Sequence, residues 1–335
     1  MNDTTPAKSV QKLIARLGPG FVLIVVVLVA AFMVPRFFTT LNLINVLYQS
    51  SIYIVLAVGM TFVITGGGID LSIGSQVALI SVVMSGFIHA WGWPVGLAMV
   101  VAILFGMGLG AVNGFVITGL RMPDFIVTLA AMETFRGFAL VHSAGKIWFD
   151  FPASFRYIGI TRWAGLPIPT IVALILAAIG YYIYHKTHFG RYTIAVGGNR
   201  TAAIYCGIPV SRYKVFQYIL MGGLCGLAAI LITSRLDSSQ ATMAQGYEIH
   251  TIAAVIMGGT SLFGGSGNVA GSVVGALILG IIANTMVLLG VDYFWRLVVT
   301  GLLIVLAVGL NQWRENVMRE ASLEAVKETA KESTS

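Results

Sequence analysis

Long apolar runs, separated by short polar segments, recur along the whole chain. A helix needs about 20 largely apolar residues to cross a bilayer. Runs near that length lie at 17–34, 43–65, 73–89, 94–120, 125–141, 168–184, 215–233, 249–262, 269–289 and 293–310. The run at 249–262 is short, so a re-entrant half-helix is the alternative there. Because the runs are continuous rather than alternating, they do not indicate a barrel of short strands. The pattern predicts an all-α polytopic membrane protein with about ten transmembrane helices, or eight if one hairpin does not span.

Composition and charge support a chain surrounded by membrane lipid. Apolar residues make up 57% of the 335 residues and charged residues only 10%, whereas soluble domains carry about 25% charged residues. The net charge of +7 lies in the loops, so it indicates topology rather than nucleic-acid binding. With the N-terminus inside, thirteen Lys and Arg residues fall in inside loops and five in outside loops. The positive-inside rule therefore favours an N-in, C-in chain.

This topology divides the chain into three parts. Residues 1–16 form a cytoplasmic N-terminal segment, 17–312 form the transmembrane domain, and 313–335 form a charged cytoplasmic tail. Within the transmembrane domain, residues 185–214 form a long inside loop that contains five basic residues and no acidic residue.

Signatures of an enzyme or a cofactor site are missing from the sequence. There is no Walker A sequence and no His-Glu-x-x-His pair, and the glycine-rich stretch 258–267 lacks the lysine of a phosphate-binding loop. Cys206 and Cys225 stand alone, without the spacing of metal ligands. An intramembrane enzyme would need a nucleophile and a base, and no such pair is apparent. We expect a transport function with no cofactor or metal bound by this chain.

Two glycine-rich segments echo each other between apolar runs, at 65–74 and 257–267. They indicate either an internal repeat, as is common in transporters, or a coincidence between two turns. Consecutive glycines end a helix, so both segments are candidate gates or hinges. The candidate residues are Gly67, Gly68, Asp70, Gly258, Gly259, Gly264 and Gly265. Asp70 either caps the next helix together with Ser72 or forms ion pairs with a partner.

Polar residues inside the predicted spans have two interpretations. Glu133 and Arg136 are three residues apart on one helix, so we expect an intramembrane ion pair that fixes packing; a functional role is the alternative. A chain of acidic residues and histidines for a proton relay is not seen, which weakens a proton-driven mechanism. Other polar residues either line a path or join helices by hydrogen bonds; these are Gln49, Ser50, Asn113, Asn284 and Thr285.

The inside loop contains signals for a short helix. Asn199 suits an N-cap, Gly207 suits the C′ position, and Pro209 prevents continuation. They predict a helix of about two turns over 200–206, between two turn-rich arms. Because so short a helix is unstable alone, it must pack on its own membrane domain or on another protein.

Several motifs in order and spacing together resemble the membrane permeases of bacterial ABC sugar importers of the ribose, xylose and galactose type. The resemblance covers about residues 37–308. Its motifs are Gly67-Gly68-Ile69-Asp70-Leu71-Ser72-Ile73-Gly74, Gly190-Arg191, Gly197-Gly198-Asn199, Ala202-Ala203, Gly207-Ile208, the stretch 253–262, and Gly264, Gly265 and Gly267.

This resemblance implies a multi-pass permease of the bacterial inner membrane that moves a monosaccharide or related polyol inward. It implies a second permease subunit (a homo- or heterodimer), two cytoplasmic ATPase subunits that bind ATP and Mg²⁺, and a periplasmic sugar-binding protein. It also implies that 199–207 is the ATPase-coupling helix, with the residues Gly198, Asn199, Arg200, Ala202, Ala203, Gly207 and Ile208. The alternative is a self-sufficient secondary sugar transporter, which would need an ion-coupling site.

Overall fold

The computed structural model describes residues 18–303, 305–306, 309 and 312. The predicted N-terminal segment 1–16 and tail 313–335 lie outside these residues. The helices are α1 Pro19–Met33, α2 Thr40–Thr65, α3 Ile73–His89, α4 Val95–Gly119, α5 Asp124–Ser143, α6 Ala153–Ile160, α7 Ile168–Lys186, α8 His188–Gly198, α9 Arg200–Tyr205, α10 Val210–Leu236, α11 Tyr247–Met257, α12 Val269–Leu288 and α13 Tyr293–Leu303. The short strands are β1 Trp148–Phe149, β2 Arg162–Trp163, β3 Leu166–Pro167 and β4 Ser238–Ser239.

Each predicted apolar run overlaps one of these helices, and several helices extend a few residues beyond their run. Six are long and apolar enough to cross a membrane, namely α2, α4, α5, α7, α10 and α12, while α1, α3, α11 and α13 are shorter. The chain is therefore an all-α polytopic membrane protein. Helix α11 ends at Met257, five residues before the predicted end of its run, because Gly258 and Gly259 turn the backbone away.

Helices α2, α3 and α10 form the centre of the bundle, because most of their residues are buried. The second half of α2 is buried. Helices α4 and α10 run antiparallel with their backbones in contact, since a Cβ atom at Gly110 would fall on the carbonyl oxygen of Tyr218, and one at Gly222 on that of Gly106. Such close approach through small residues is how helices associate where no hydrophobic effect drives them.

The bundle has two distinct ends. At one end β1 pairs with β4, and the hydroxyl of Tyr48 donates to the carbonyl of Ile160 at 2.9 Å; we call it the strand end. At the other end, the last residue of α2, Thr65, meets the segment that contains α8 and α9; we call it the loop end.

Two shorter helices begin inside the bundle rather than at its surface. A Cβ atom at Gly74, in the first turn of α3, would fall on the carbonyl of Ala244 and on Glu248, which is in the first turn of α11. The first turn of α3 therefore lies against the first turn of α11 and the chain just before it. At 11 residues, α11 is about 16 Å long, which is about half of a bilayer core.

Candidate functional site

Three glycine segments that are far apart in sequence meet at the loop end. The N–H of Gly265 donates to the carbonyl of Thr65 at 2.9 Å. A Cβ atom at Gly197 would fall on that same carbonyl and lie 2.7 Å from the nitrogen of Gly265. One at Gly264 would lie 3.0 Å from the Cα of Gly67. We call this contact the glycine junction (residues 66–68, 197–198 and 264–265). It joins both predicted hinges to the predicted coupling loop.

The two segments that echo each other in sequence also share a local structure. After α2, Gly67 has φ +73° and the N–H of Gly68 donates to the carbonyl of Val63 at 2.9 Å. After α11, Gly259 has φ +89° and the N–H of Thr260 donates to the carbonyl of Val255 at 3.2 Å. Both are Schellman ends, in which a left-handed glycine lets the chain turn back on the last helical turn.

Asp70 lies buried in the segment between α2 and α3. Its carboxylate accepts hydrogen bonds from the backbone N–H of Ser72 at 2.9 Å and from the Ser72 hydroxyl at 2.5 Å. Burial raises the pKa of this carboxyl to about 6, although the hydrogen bonds from Ser72 and Gln76 oppose that rise. Since Asp70 is 0% exposed, it cannot reach a partner protein in this conformation. The local turn, and not an intersubunit ion pair, explains the residue.

A second acidic residue lies beside the glycine junction and was not predicted from the sequence. The carboxylate of Asp124, at the start of α5, lies 2.8 Å from the ammonium of Lys214 and accepts a hydrogen bond from the Tyr218 hydroxyl at 2.7 Å. It also occupies the space that a Cβ atom at Gly68 would fill. A shallow cleft opens here, and its lining includes Gly66, Gly67, Asp124, Gly197, Arg200, Lys214 and Phe263. An acidic residue directly after Pro123, at the start of a span, was the available signal.

The predicted short helix is confirmed as α9. The Asn199 side chain accepts from the N–H of Ala202 at 2.9 Å, and Gly207 has φ +77°, so both predicted caps are present. The arm before it is not a run of turns but the helix α8, whose Val196 packs with Ala203 and with Ile208 in one apolar cluster. This tertiary contact outweighs the turn preference of its glycines.

The two faces of α9 differ in exposure. Ala203 is 4% exposed and points into the protein. Ala202 is exposed, Ile204 is 55% exposed and Tyr205 is 87% exposed. Gly198, Arg200 and Gly207 are exposed as well. An apolar residue and an aromatic residue that project from a capped helix are typical of a contact surface.

Arg136 has a different partner from the predicted one. Its guanidinium donates to the backbone carbonyl of Ala241 at 2.5 Å and to that of Met243 at 2.9 Å. The ion pairs found among residues 18–303 are Arg156–Asp237 and Lys214–Asp124, so Glu133 is not paired with it in this conformation. Glu133 lies on the exposed side of α5. Arg136 thus fastens the connection that leads into α11.

The polar residues that had two interpretations differ in burial and in hydrogen bonding. Asn113 is buried and donates to the Ser72 hydroxyl at 2.9 Å, which makes it an interhelical link. Ser50, Asn284 and Thr285 are buried as well. None of them joins two helices, because the Thr285 hydroxyl donates to the carbonyl of Ile281 in its own helix, and the Ser50 hydroxyl and the Asn284 amide oxygen have no hydrogen-bond partner among the described residues. Only Gln49 of the set keeps an accessible side chain.

Comparisons with known proteins point to one class of transporter. Residues 42–308 match the family described as branched-chain amino acid transport system / permease component. The ribose import permease protein of Bacillus subtilis is 42% identical over 299 residues, which is 89% of this chain and 92% of the relative. The D-allose transport system permease protein of Escherichia coli is 36% identical over 88% of this chain and 91% of its own length. The L-arabinose transport system permease protein of Escherichia coli is 36% identical over 90% and 92%. No solved structure matches this chain.

Proposed function

Because the chain belongs to the branched-chain amino acid transport system / permease component family, we propose that it is the permease subunit of an ATP-binding-cassette importer in the bacterial inner membrane. We propose a monosaccharide or related polyol as substrate rather than an amino acid. The relatives named for ribose, allose and arabinose support a sugar, since they align over most of both chains. ATP and Mg²⁺ would bind to a separate subunit.

The observation that carries this proposal is the exposed face of α9. This helix presents Ile204 and Tyr205 outward at the loop end, and the glycine junction joins its N-terminal side to the end of α2 and to the loop that follows α11. We propose that each of two ATPase subunits receives α9 of one permease subunit. A push on α9 would then displace the end of α2 and the loop after α11, since close-packed backbones leave no slack.

If α9 meets the ATPase subunits, the orientation of the chain in the membrane is set, and the remaining partners can be placed. The loop end would lie in the cytoplasm and the strand end in the periplasm, with N-in and C-in termini and ten passes. The strand end would receive a sugar-binding protein, and a second permease subunit would complete the path. Gly67, Gly68, Gly258, Gly259, Gly264 and Gly265 would form the gate-side hinges.

A pair of neighbouring alanines tests the coupling role. Ala202→Trp places an indole on the exposed face of α9, so we expect binding of the ATPase subunits and binding-protein-stimulated ATP hydrolysis to fall at least tenfold. The permease should still insert and keep its thermal stability. Ala203→Trp is the matched control, because its indole would enter the apolar cluster with Val196 and Val210, at a cost of about 1–3 kcal/mol of stability.

Two results would contradict the proposal. One is normal stimulated ATP hydrolysis and uptake in Ala202→Trp. The other is sugar uptake into liposomes that contain the permease alone, driven by an ion gradient without ATPase subunits; this would establish the secondary-transporter alternative.

A further inference from the structure

A row of polar side chains follows one exposed side of α2 in its first half. Asn45, Gln49 and Tyr53 are spaced four residues apart, so they lie on one face of the helix. Asn45 is exposed, and Gln49 and Tyr53 are partly exposed. Neighbouring exposed side chains on the same helix are apolar, with Leu41 at 66% and Leu43 at 39%. The face therefore carries polar groups in an otherwise apolar segment.

Helix α11 extends this polar face sideways. The Tyr53 ring centroid lies 4.9 Å from that of Tyr247 and 5.6 Å from that of His250. Tyr247 and His250 are three residues apart in α11, and both remain partly exposed. The five residues Asn45, Gln49, Tyr53, Tyr247 and His250 form one surface, which we call the polar wall.

The polar wall runs along α2 from the strand end, where Asn45 and Gln49 lie on either side of Tyr48 in the sequence, to Tyr53 within the span. Helix α2 is a candidate span of 26 residues, with Tyr48 bonded at the strand end and Thr65 at the loop end. The side-chain amides of Asn45 and Gln49 make no hydrogen bond within residues 18–303. An amide without a partner in lipid costs roughly 2–7 kcal/mol. Such a surface is stable only beside water, a polar ligand or another polar surface.

We propose that the polar wall lines the path of the transported sugar. The amides of Asn45 and Gln49 would exchange hydrogen bonds with successive hydroxyl groups, and the rings of Tyr53, Tyr247 and His250 would offer both polar edges and apolar faces to the C–H side of the sugar. Sites that mix aromatic surface with a few directed polar groups suit such ligands. This inference rests on the proposed function and assigns to it the residues that contact the substrate.

Cysteine labelling tests whether the wall faces water. Asn45→Cys and Gln49→Cys would be made on Cys206→Ser, because Cys206 is the exposed native cysteine and Cys225 is buried. The matched control is Leu104→Cys, on α4, where the leucine is 57% exposed among other exposed apolar side chains such as Val100. The assembled transporter in membranes would be treated with a cationic, water-soluble methanethiosulfonate.

We expect both wall cysteines to react at least tenfold faster than the cysteine of Leu104→Cys. Adding sugar-loaded binding protein and ATP should slow the labelling of the wall cysteines during turnover. Labelling as slow as that of Leu104→Cys would overturn the inference. So would disulfide bonds between two permease copies without labelling, which would make the wall a dry subunit contact.

Transport by side-chain variants tests contact with the sugar itself. Tyr53→Phe removes only the hydroxyl, and Gln49→Ala removes the amide together with the γ-methylene group, so neither should prevent insertion. We expect each to change the ratio of pentose to hexose uptake at least threefold, with the same amount of permease in the membrane as for the wild type. Tyr182→Phe, on a 63% exposed tyrosine of α7, should leave the ratio unchanged.

The two proposals fail in distinguishable ways. If the wild-type chain shows no stimulated ATP hydrolysis with any sugar-binding partner, the proposed function fails. If the wild type transports normally and the wall variants keep the wild-type uptake ratio, only the polar wall is refuted.

Discussion

Adding one methyl group at Gly197 should loosen the glycine junction. In Gly197→Ala the new Cβ atom would fall on the carbonyl oxygen of Thr65 and lie 2.7 Å from the nitrogen of Gly265. Both are backbone atoms, so no side chain can rotate away. Overpacking costs about 1–3 kcal/mol, and the displaced hydrogen bond from Gly265 to Thr65 adds about 1 kcal/mol. The packed junction should therefore lose about 2–4 kcal/mol of stability. This loss shifts the equilibrium between the packed and the separated junction roughly 30- to 1000-fold toward the separated state.

The adjacent glycine provides a matched control. In Gly198→Ala the Cβ atom would lie 3.7 Å from the Cα of Gly265, an ordinary contact. Because Gly198 ends α8, alanine there should be neutral or slightly stabilising. We would measure thermal unfolding of the purified permease in detergent, together with stimulated ATP hydrolysis of the assembled transporter.

We expect Gly197→Ala to unfold at a lower temperature and to uncouple ATP hydrolysis from uptake, and Gly198→Ala to resemble the wild type. Equal behaviour of the two variants in both assays would refute the close-packed junction.

Three further predictions address topology, the strand end and Asp70. Reporter fusions after Thr161 should be periplasmic and those after Arg200 cytoplasmic; both on one side would contradict the threading. Arg162→Glu should repel the binding protein and therefore weaken uptake more at low salt than at high salt. Arg162 is chosen rather than Arg156, because Arg156 already pairs with Asp237 at 3.4 Å and its reversal would also disturb the fold. If uptake by Arg162→Glu did not depend on salt, electrostatic steering at this residue would be excluded. Asp70→Ala should lower the free energy of unfolding by about 1–3 kcal/mol, because it leaves buried donors without an acceptor. Asp70→Asn should lower it less, since the amide oxygen still accepts a hydrogen bond. Equal losses in thermal unfolding would show that the charge of Asp70 matters.

The sequence was sufficient for features that depend on local chemistry. A membrane helix must satisfy its own backbone and be apolar along its length, so apolar runs located the helices. The caps of α9 are equally local, because Asn199 bonds to a residue three positions away. The two glycine-rich turns were recognised for the same reason, since a left-handed backbone at Gly67 or Gly259 favours glycine.

Features that depend on distant partners were not predictable. Asp124 meets Lys214 across 90 positions of sequence, and no periodicity links them. Arg136 was expected to pair with its neighbour Glu133, but two backbone carbonyls of the 241–243 stretch lie closer to it. The glycine junction itself needs three separate chain segments, and each of them alone only resembles a turn.

The position of the junction explains how one contact could act on the whole path. It joins α9 to the end of α2 and to the loop after α11. The same two helices carry the polar wall, with Tyr53 on α2 and His250 on α11. A displacement at the loop end would therefore reach the Tyr53 side of the wall along α2, and the His250 side through the loop 258–265 and then α11. Because α11 begins within the bundle, beside Gly74 of α3, a shift of α11 would move only about half the length of a transmembrane helix.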